Sequence, residues 1–146
     1  MDIVKILVSA LAATITMTGF SYLISAAYKK LFKEPVLLNK ILERLGIDVQ
    51  DGPKKAAGYI LHYLIGVLFV IGYDLLWRYT TLDPTWFCGI IFGIFSGIIG
   101  IGGWMTIFRL PDMPPRVHFK EYYIQLFIAH IIFALTAVAV YHIYGV

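Results

Sequence analysis

The sequence predicts an all-α integral membrane protein. It reads as a single domain, a bundle of four transmembrane helices with a short amphipathic interfacial helix between spans one and two. Three observations lead there. Apolar residues make up 60% of the 146-residue chain and charged residues only 14%, whereas a soluble domain has about 45–50% and about 25%. The charges are bunched, leaving four stretches long enough to cross a hydrocarbon layer about 30 Å thick at about 1.5 Å per residue. Ten of the 12 Lys and Arg residues fall in two loops that the crossings put on the same side.

The first span runs from about Ile3 to Tyr28. Its apolar run is too long for a signal peptide and leads into Lys29 and Lys30 rather than a cleavage site. The interfacial helix covers about 36–46. Pro35 opens this segment, Leu37, Leu38, Ile41, Leu42 and Leu45 form its apolar stripe, Asn39, Lys40, Glu43 and Arg44 fill the other face, and Gly46 ends it. Such a helix lies in the headgroup layer with its cations near anionic lipid, or else docks a partner or closes over the bundle as a lid. Span two runs from about Ala56 to Trp77 and span three from about Thr85 to Phe108. The loop after span three, Leu110-Pro111-Asp112-Met113-Pro114-Pro115, is stiff because each proline fixes its own φ. Span four runs from about Tyr122 to Tyr144. None of these segments alternates in polarity as a barrel strand would.

The loop over about 29–55 carries Lys29, Lys30, Lys33, Lys40, Arg44, Lys54 and Lys55, and that over about 109–121 carries Arg109, Arg116 and Lys120. The opposite side has Lys5 and Arg78. The positive-inside rule puts the basic loops in the cytoplasm and both termini outside, in a cell inner membrane. Aromatic residues read as boundary rings: Trp77, Tyr79, Trp86, Tyr141 and Tyr144 outside, and Tyr28, Trp104, Tyr122 and Tyr123 inside. The net charge of +3 bears on topology and anionic lipid. No basic stripe interleaved with exposed aromatics suggests nucleic acid. The lone Cys88 cannot form an intrachain disulfide and reads as a small packing residue.

In lipid, helices associate through close backbone approach and interhelical hydrogen bonds. Span three carries Gly89, Gly93 and Gly97 at four-residue spacing, beside a row of Ser96, Gly100 and Gly103. Span one carries Thr14, Thr18, Ser21 and Ser25 on one face, and span two carries Gly58, His62 and Gly66. These faces either glue the bundle together, join copies of the chain, or line a groove for a lipid or cofactor.

Ionisable side chains inside a span cost about 2.5–3.5 kcal/mol on insertion scales, so they mark candidate sites. His62 has small neighbours one turn away on each side, and Phe69 and Tyr73 continue its face. His130 lies near the middle of span four. Each is expected to be neutral and to bond another helix, for instance a Thr or Ser of span one. The sharper alternative is axial ligation of a haem by the pair, the one metal role open to them. Asp74 pairs with Arg78 four residues on, and His142 is near enough to join them. A proton path through His62, His130 and Asp74 would need a second buried carboxylate, and none is evident. His118 reads as solvated. Zincin, nucleophile-elbow and phosphate-loop signatures are absent, so no residue is assigned a catalytic role.

The run His62-Tyr63-Leu64-Ile65-Gly66, with Phe69 after it, resembles the second span of a group of small bacterial four-helix membrane proteins known only as a domain of unknown function. The prolines at 111, 114 and 115 before the last span, and the pairing of His130 with Phe133, are similar to that group as well. Where the group often has Gly, this chain has Ala134. The resemblance covers about Ala56 to the end. It implies no activity, and marks His62, Gly66 and His130 as the pattern to test.

Three functions follow as expectations. The first is a non-catalytic bundle that binds lipid or a membrane-protein partner, itself included. The second is a haem- or quinone-binding redox component using His62 and His130. The third is an oligomeric small transporter or channel.

Overall fold

In the computed structural model, which describes residues 2–47 and 56–145, the first crossing starts where the Asp2 carboxylate accepts the Lys5 backbone N–H at 3.1 Å. This helix, α1 (Ile3–Tyr28), ends where Lys29 takes a left-handed φ of 52°. The turn that follows is held by Ser25, whose hydroxyl donates to the Lys30 carbonyl (2.5 Å) and accepts from the Phe32 N–H (2.8 Å). Then come α2 (Glu34–Arg44), α3 (Ala56–Tyr79), α4 (Trp86–Ile107) and α5 (Phe119–Ile143). The four long helices are each long and apolar enough to cross a membrane. Their outward faces carry Leu7, Leu11, Leu64, Leu68, Phe95 and Ile98, all exposed, as a lipid solvent requires. Lys54 and Lys55 lie outside the described residues.

The helix ends differ from the expected ones for local reasons. α2 begins two residues early, because Glu34 and Pro35 suit the first turn of a helix, and it stops at Arg44 before Gly46 turns the chain at φ +82°. α3 extends through Arg78 and Tyr79, since Arg78 reaches back one turn to Asp74. α5 starts at Phe119, three residues early.

The spatial order is α3, α1, α5, α4. Helix α5 packs on both α4 and α1, α1 packs on α3, and α2 lies over α3. Small residues set these distances. On α4, a Cβ at Gly93 would stand 2.6 Å from the Ile131 backbone, and one at Gly97 would stand 2.8 Å from the Phe127 ring. Gly89 meets Val138 in the same way. The Gly row is thus spent within the chain, on α5, and is not the face open to a second copy. Between α1 and α5 the Ser9 hydroxyl donates to the Ala137 carbonyl at 3.4 Å, and both helices carry buried alanines, Ala10 and Ala13 on α1 and Ala129, Ala134 and Ala137 on α5. Between α1 and α3, Gly66 lies against the Thr14 hydroxyl, and the Tyr22 and Tyr59 hydroxyls are hydrogen-bonded.

Four residues expected at the membrane boundary belong instead to the interior. Tyr141, Trp104 and Tyr122 are buried, and Trp77 packs on Tyr141 and Phe92 at ring separations of 4.6 and 5.5 Å. These rings fill the wide spaces that small-residue helices leave at the two ends of the bundle. Tyr28, Tyr79 and Trp86 do face outward.

Helix α2 turns its stripe onto the bundle. Leu37, Leu38 and Ile41 are buried, while Leu45 is not. Lys30 pairs with Glu121 of α5 at 2.8 Å, and Arg44 donates to the Met113 carbonyl at 2.6 Å. Asn39 Oδ1 accepts the Gly58 N–H at 2.8 Å, capping the first turn of α3 from outside. The result is the lid-like placement, one of the alternatives that amphipathicity left open.

Candidate functional site

Helices α3 and α4 follow each other in sequence yet do not pack along their length. The ring of helices is therefore open on one side. Behind the opening the gap is bridged by side chains only: Tyr73 donates to or accepts from Ser96 at 2.5 Å, and its ring lies 5.0 Å from that of Phe92. Two hollows occupy this gap. One, about 660 Å³, is almost wholly apolar and runs from Leu82 and Leu76 down past Gly72 to Phe95. The other, about 180 Å³, lies deeper and nearer α2, and its walls include Thr14, Glu34, His62, Gly66, Gly100 and His130. Ile65, Phe69 and Ile99 line both, so the two hollows adjoin across these three side chains in one cleft.

The polar groups at its inner end are held in place. His62 bonds Thr18 of α1 through Nε2 at 3.1 Å, the interhelical bond expected from the sequence. His130 Nδ1 lies 2.8 Å from the Leu126 carbonyl. A carbonyl only accepts, so Nδ1 carries the proton and Nε2 is left as a bare acceptor. Among the described residues no partner reaches that nitrogen. It lies against Gly100, where a Cβ would come within 2.7 Å of it; only glycine leaves the ring room there.

Beneath the histidines lies a carboxylate that the sequence reading missed. Glu34 has no exposed surface. Its Oε1 accepts from Ser21 Oγ at 2.6 Å, and Gln125 Nε2 donates to Ser21 Oγ at 2.5 Å. Glu34 Oε2 and Gln125 Oε1 are buried without a partner. Burial pushes the Glu34 carboxyl up to about 7, more than the Ser21 hydrogen bond lowers it. Glu34 sits among charges in a basic loop, a pattern that normally means solvent, so neither periodicity nor hydropathy pointed inward. One signal was available: it falls one position before Pro35 at the start of an amphipathic helix, a place that a fold can turn toward its core.

The remaining predicted site residues fall elsewhere. Asp74 is buried near the far end of α3, bonded by Arg78 Nε at 2.6 Å and by the Tyr141 hydroxyl at 2.9 Å. His142 does not join them and instead stacks on Trp86 at 5.6 Å. Cys88 is buried and receives the Trp77 indole N–H at 3.5 Å. Tyr73 borders the larger hollow, and Gly66 and Gly103 line the inner one. Among the described residues no hydrogen bond links the Asp74 group, the Tyr73–Ser96 pair, the histidines and the Glu34 group into a continuous path.

A cavity of about 150 Å³ holds one benzene, so the 180 Å³ beside His62 and His130 takes a group of about that size. Among the described residues no cluster of His, Cys, Asp and Glu has the makings of a metal site. A scan against models of protein families found no match, and neither did searches of curated proteins and of solved structures.

Proposed function

We propose that this protein is a non-catalytic membrane component that takes a lipid sideways from the bilayer into the cleft between α3 and α4. The carrying observation is that an apolar groove, open toward lipid at Leu68, Phe95 and Ile99, adjoins a small inner hollow whose mostly apolar walls include His62 and His130. An acyl or prenyl chain suits the groove, and burying it there is favourable at about 25 cal/mol per Å² only relative to water. From bilayer to groove the gain comes instead from packing and from the hydrogen bonds of the head. His62, Gly66 and His130, the pattern marked in the sequence, all line this inner hollow.

The excess of Lys and Arg on the α2 side supports an orientation with α2 and the α4–α5 loop in the cytoplasm and both termini outside. A bound lipid would then have its head toward the cytoplasmic face. Purification in mild detergent, a visible spectrum and mass spectrometry of co-purifying molecules test the reading. A colourless protein carrying a stoichiometric lipid is expected. A coloured protein whose absorption disappears in His130→Ala would overturn it in favour of a redox cofactor.

A further inference from the structure

Resting on that reading, we infer that the ligand's head is uncharged, no larger than a single ring or a glycerol, and bears a hydroxyl group. Three features of the inner pocket carry this. The first is charge. Among the described residues no Lys or Arg lines it, and its one ionisable acid, Glu34, is fully buried. A phosphate there would lose its hydration, gain no cation and face a carboxyl group, a combination that costs several kcal/mol.

The second feature is size. About 180 Å³ leaves no room for a phosphocholine or a sugar above the glycerol. Longer parts of the ligand must lie in the groove, which stays open to the bilayer along Leu68 and Phe95.

The third is the direction of the hydrogen bonds. His130 Nε2 is an acceptor without a partner, its tautomer fixed by Leu126. A head that only accepts, such as an ester or a ketone, would leave His130 Nε2 bare. A hydroxyl donates to it. Donation to a buried acceptor is favoured because an unmade bond there costs about 1–3 kcal/mol.

The test uses three lipids with identical chains: dioleoylglycerol, its methyl ether and dioleoylphosphatidate. Each is added to the delipidated full-length protein in detergent and the bound fraction read by native mass spectrometry. Dioleoylglycerol is expected to bind about tenfold or more tightly than either of the others, and His130→Phe, which removes the acceptor but keeps a ring, is expected to erase its advantage over the methyl ether. Gly72→Leu fills the groove at a position where a Cβ meets nothing within 4 Å and serves as the control for the cleft itself. If all three lipids bind alike and all are lost in Gly72→Leu, the inference about the head is wrong and the cleft reading stands. If phosphatidate binds best, the inference is wrong as well. If no lipid binds, or binding ignores Gly72→Leu, the cleft reading fails and the inference with it.

Discussion

Ser21 of α1 donates a 2.6 Å hydrogen bond to Glu34 of α2, and neither residue has any exposed surface. The amphipathic helix is thus fastened to the bundle through a carboxyl group that its surroundings hold near neutrality. No cation among the described residues pairs with it.

This makes the stability of the docked α2 depend on pH in a definite direction. The Glu34 pKa is raised by burial from 4.5 to about 7, so the docked state binds the proton more tightly than the undocked one. Stability is then greatest below 4.5, declines as pH rises through the interval up to about 7, and is flat above it. The full loss is on the order of 3 kcal/mol. Thermal unfolding in detergent at pH 5 and pH 8 checks this: the melting temperature of the wild type should be lower at pH 8, and Glu34→Gln should remove most of the difference. Equal slopes in the two proteins would assign the pH dependence elsewhere.

The Thr18–His62 bond joins α1 to α3 at 3.1 Å. Interhelical bonds in membrane proteins are worth about 0.6 kcal/mol on average, up to about 1.7. A double-mutant cycle with Thr18→Val and His62→Ala should give a coupling in that range, since Thr18 is only partly buried. A coupling indistinguishable from zero would mean that the two side chains do not bond in the folded protein.

Glycines of the same composition should respond in opposite ways. Gly93→Ala places a methyl 2.6 Å from the Ile131 backbone, which neither helix can yield cheaply, and should cost about 1–3 kcal/mol. Gly103→Ala meets open space and should be neutral or slightly stabilising, because alanine is the better helix former. Unfolding by a denaturing detergent measures both, and equal effects would contradict the α4–α5 packing.

At the other end of α3, Tyr141→Phe removes one of the two donors to the buried Asp74 and leaves Arg78 in place. A loss of about 1–2 kcal/mol is expected. Asp74→Ala removes both bonds and leaves the buried Tyr141 hydroxyl without its acceptor, so it should cost more than Tyr141→Phe, and the same unfolding assay ranks the two.

Much of the architecture was legible because membrane insertion leaves a strong one-dimensional signal. The span limits, the amphipathic helix and the Gly rows were all visible as runs or spacings, and a polar face on one span with a histidine on another pointed to a bond from His62 to a Thr or Ser of α1 without singling out Thr18. What a single sequence does not encode locally is the order of helices around the ring. The gap between α3 and α4 follows from α5 packing on both α1 and α4, a choice made by which glycine row meets which partner. Glu34 and Gln125 escaped notice because their burial depends on α2 folding back onto the bundle. Tyr122, Tyr141 and Trp104 were read as boundary rings because aromatic residues near a span end have the same sequence pattern whether they face headgroups or the core.

The central claim is that the space between α3 and α4 holds a lipid. Native mass spectrometry of the protein released from mild detergent, compared among the wild type, Gly72→Leu and Gly103→Leu, measures this most directly, because both glycines border the cleft and neither added side chain strikes another residue at its Cβ. The wild type should retain one lipid per chain, and both variants should fold normally and lose it. A wild type that flies without adduct, or an adduct retained equally by all three proteins, would contradict the claim.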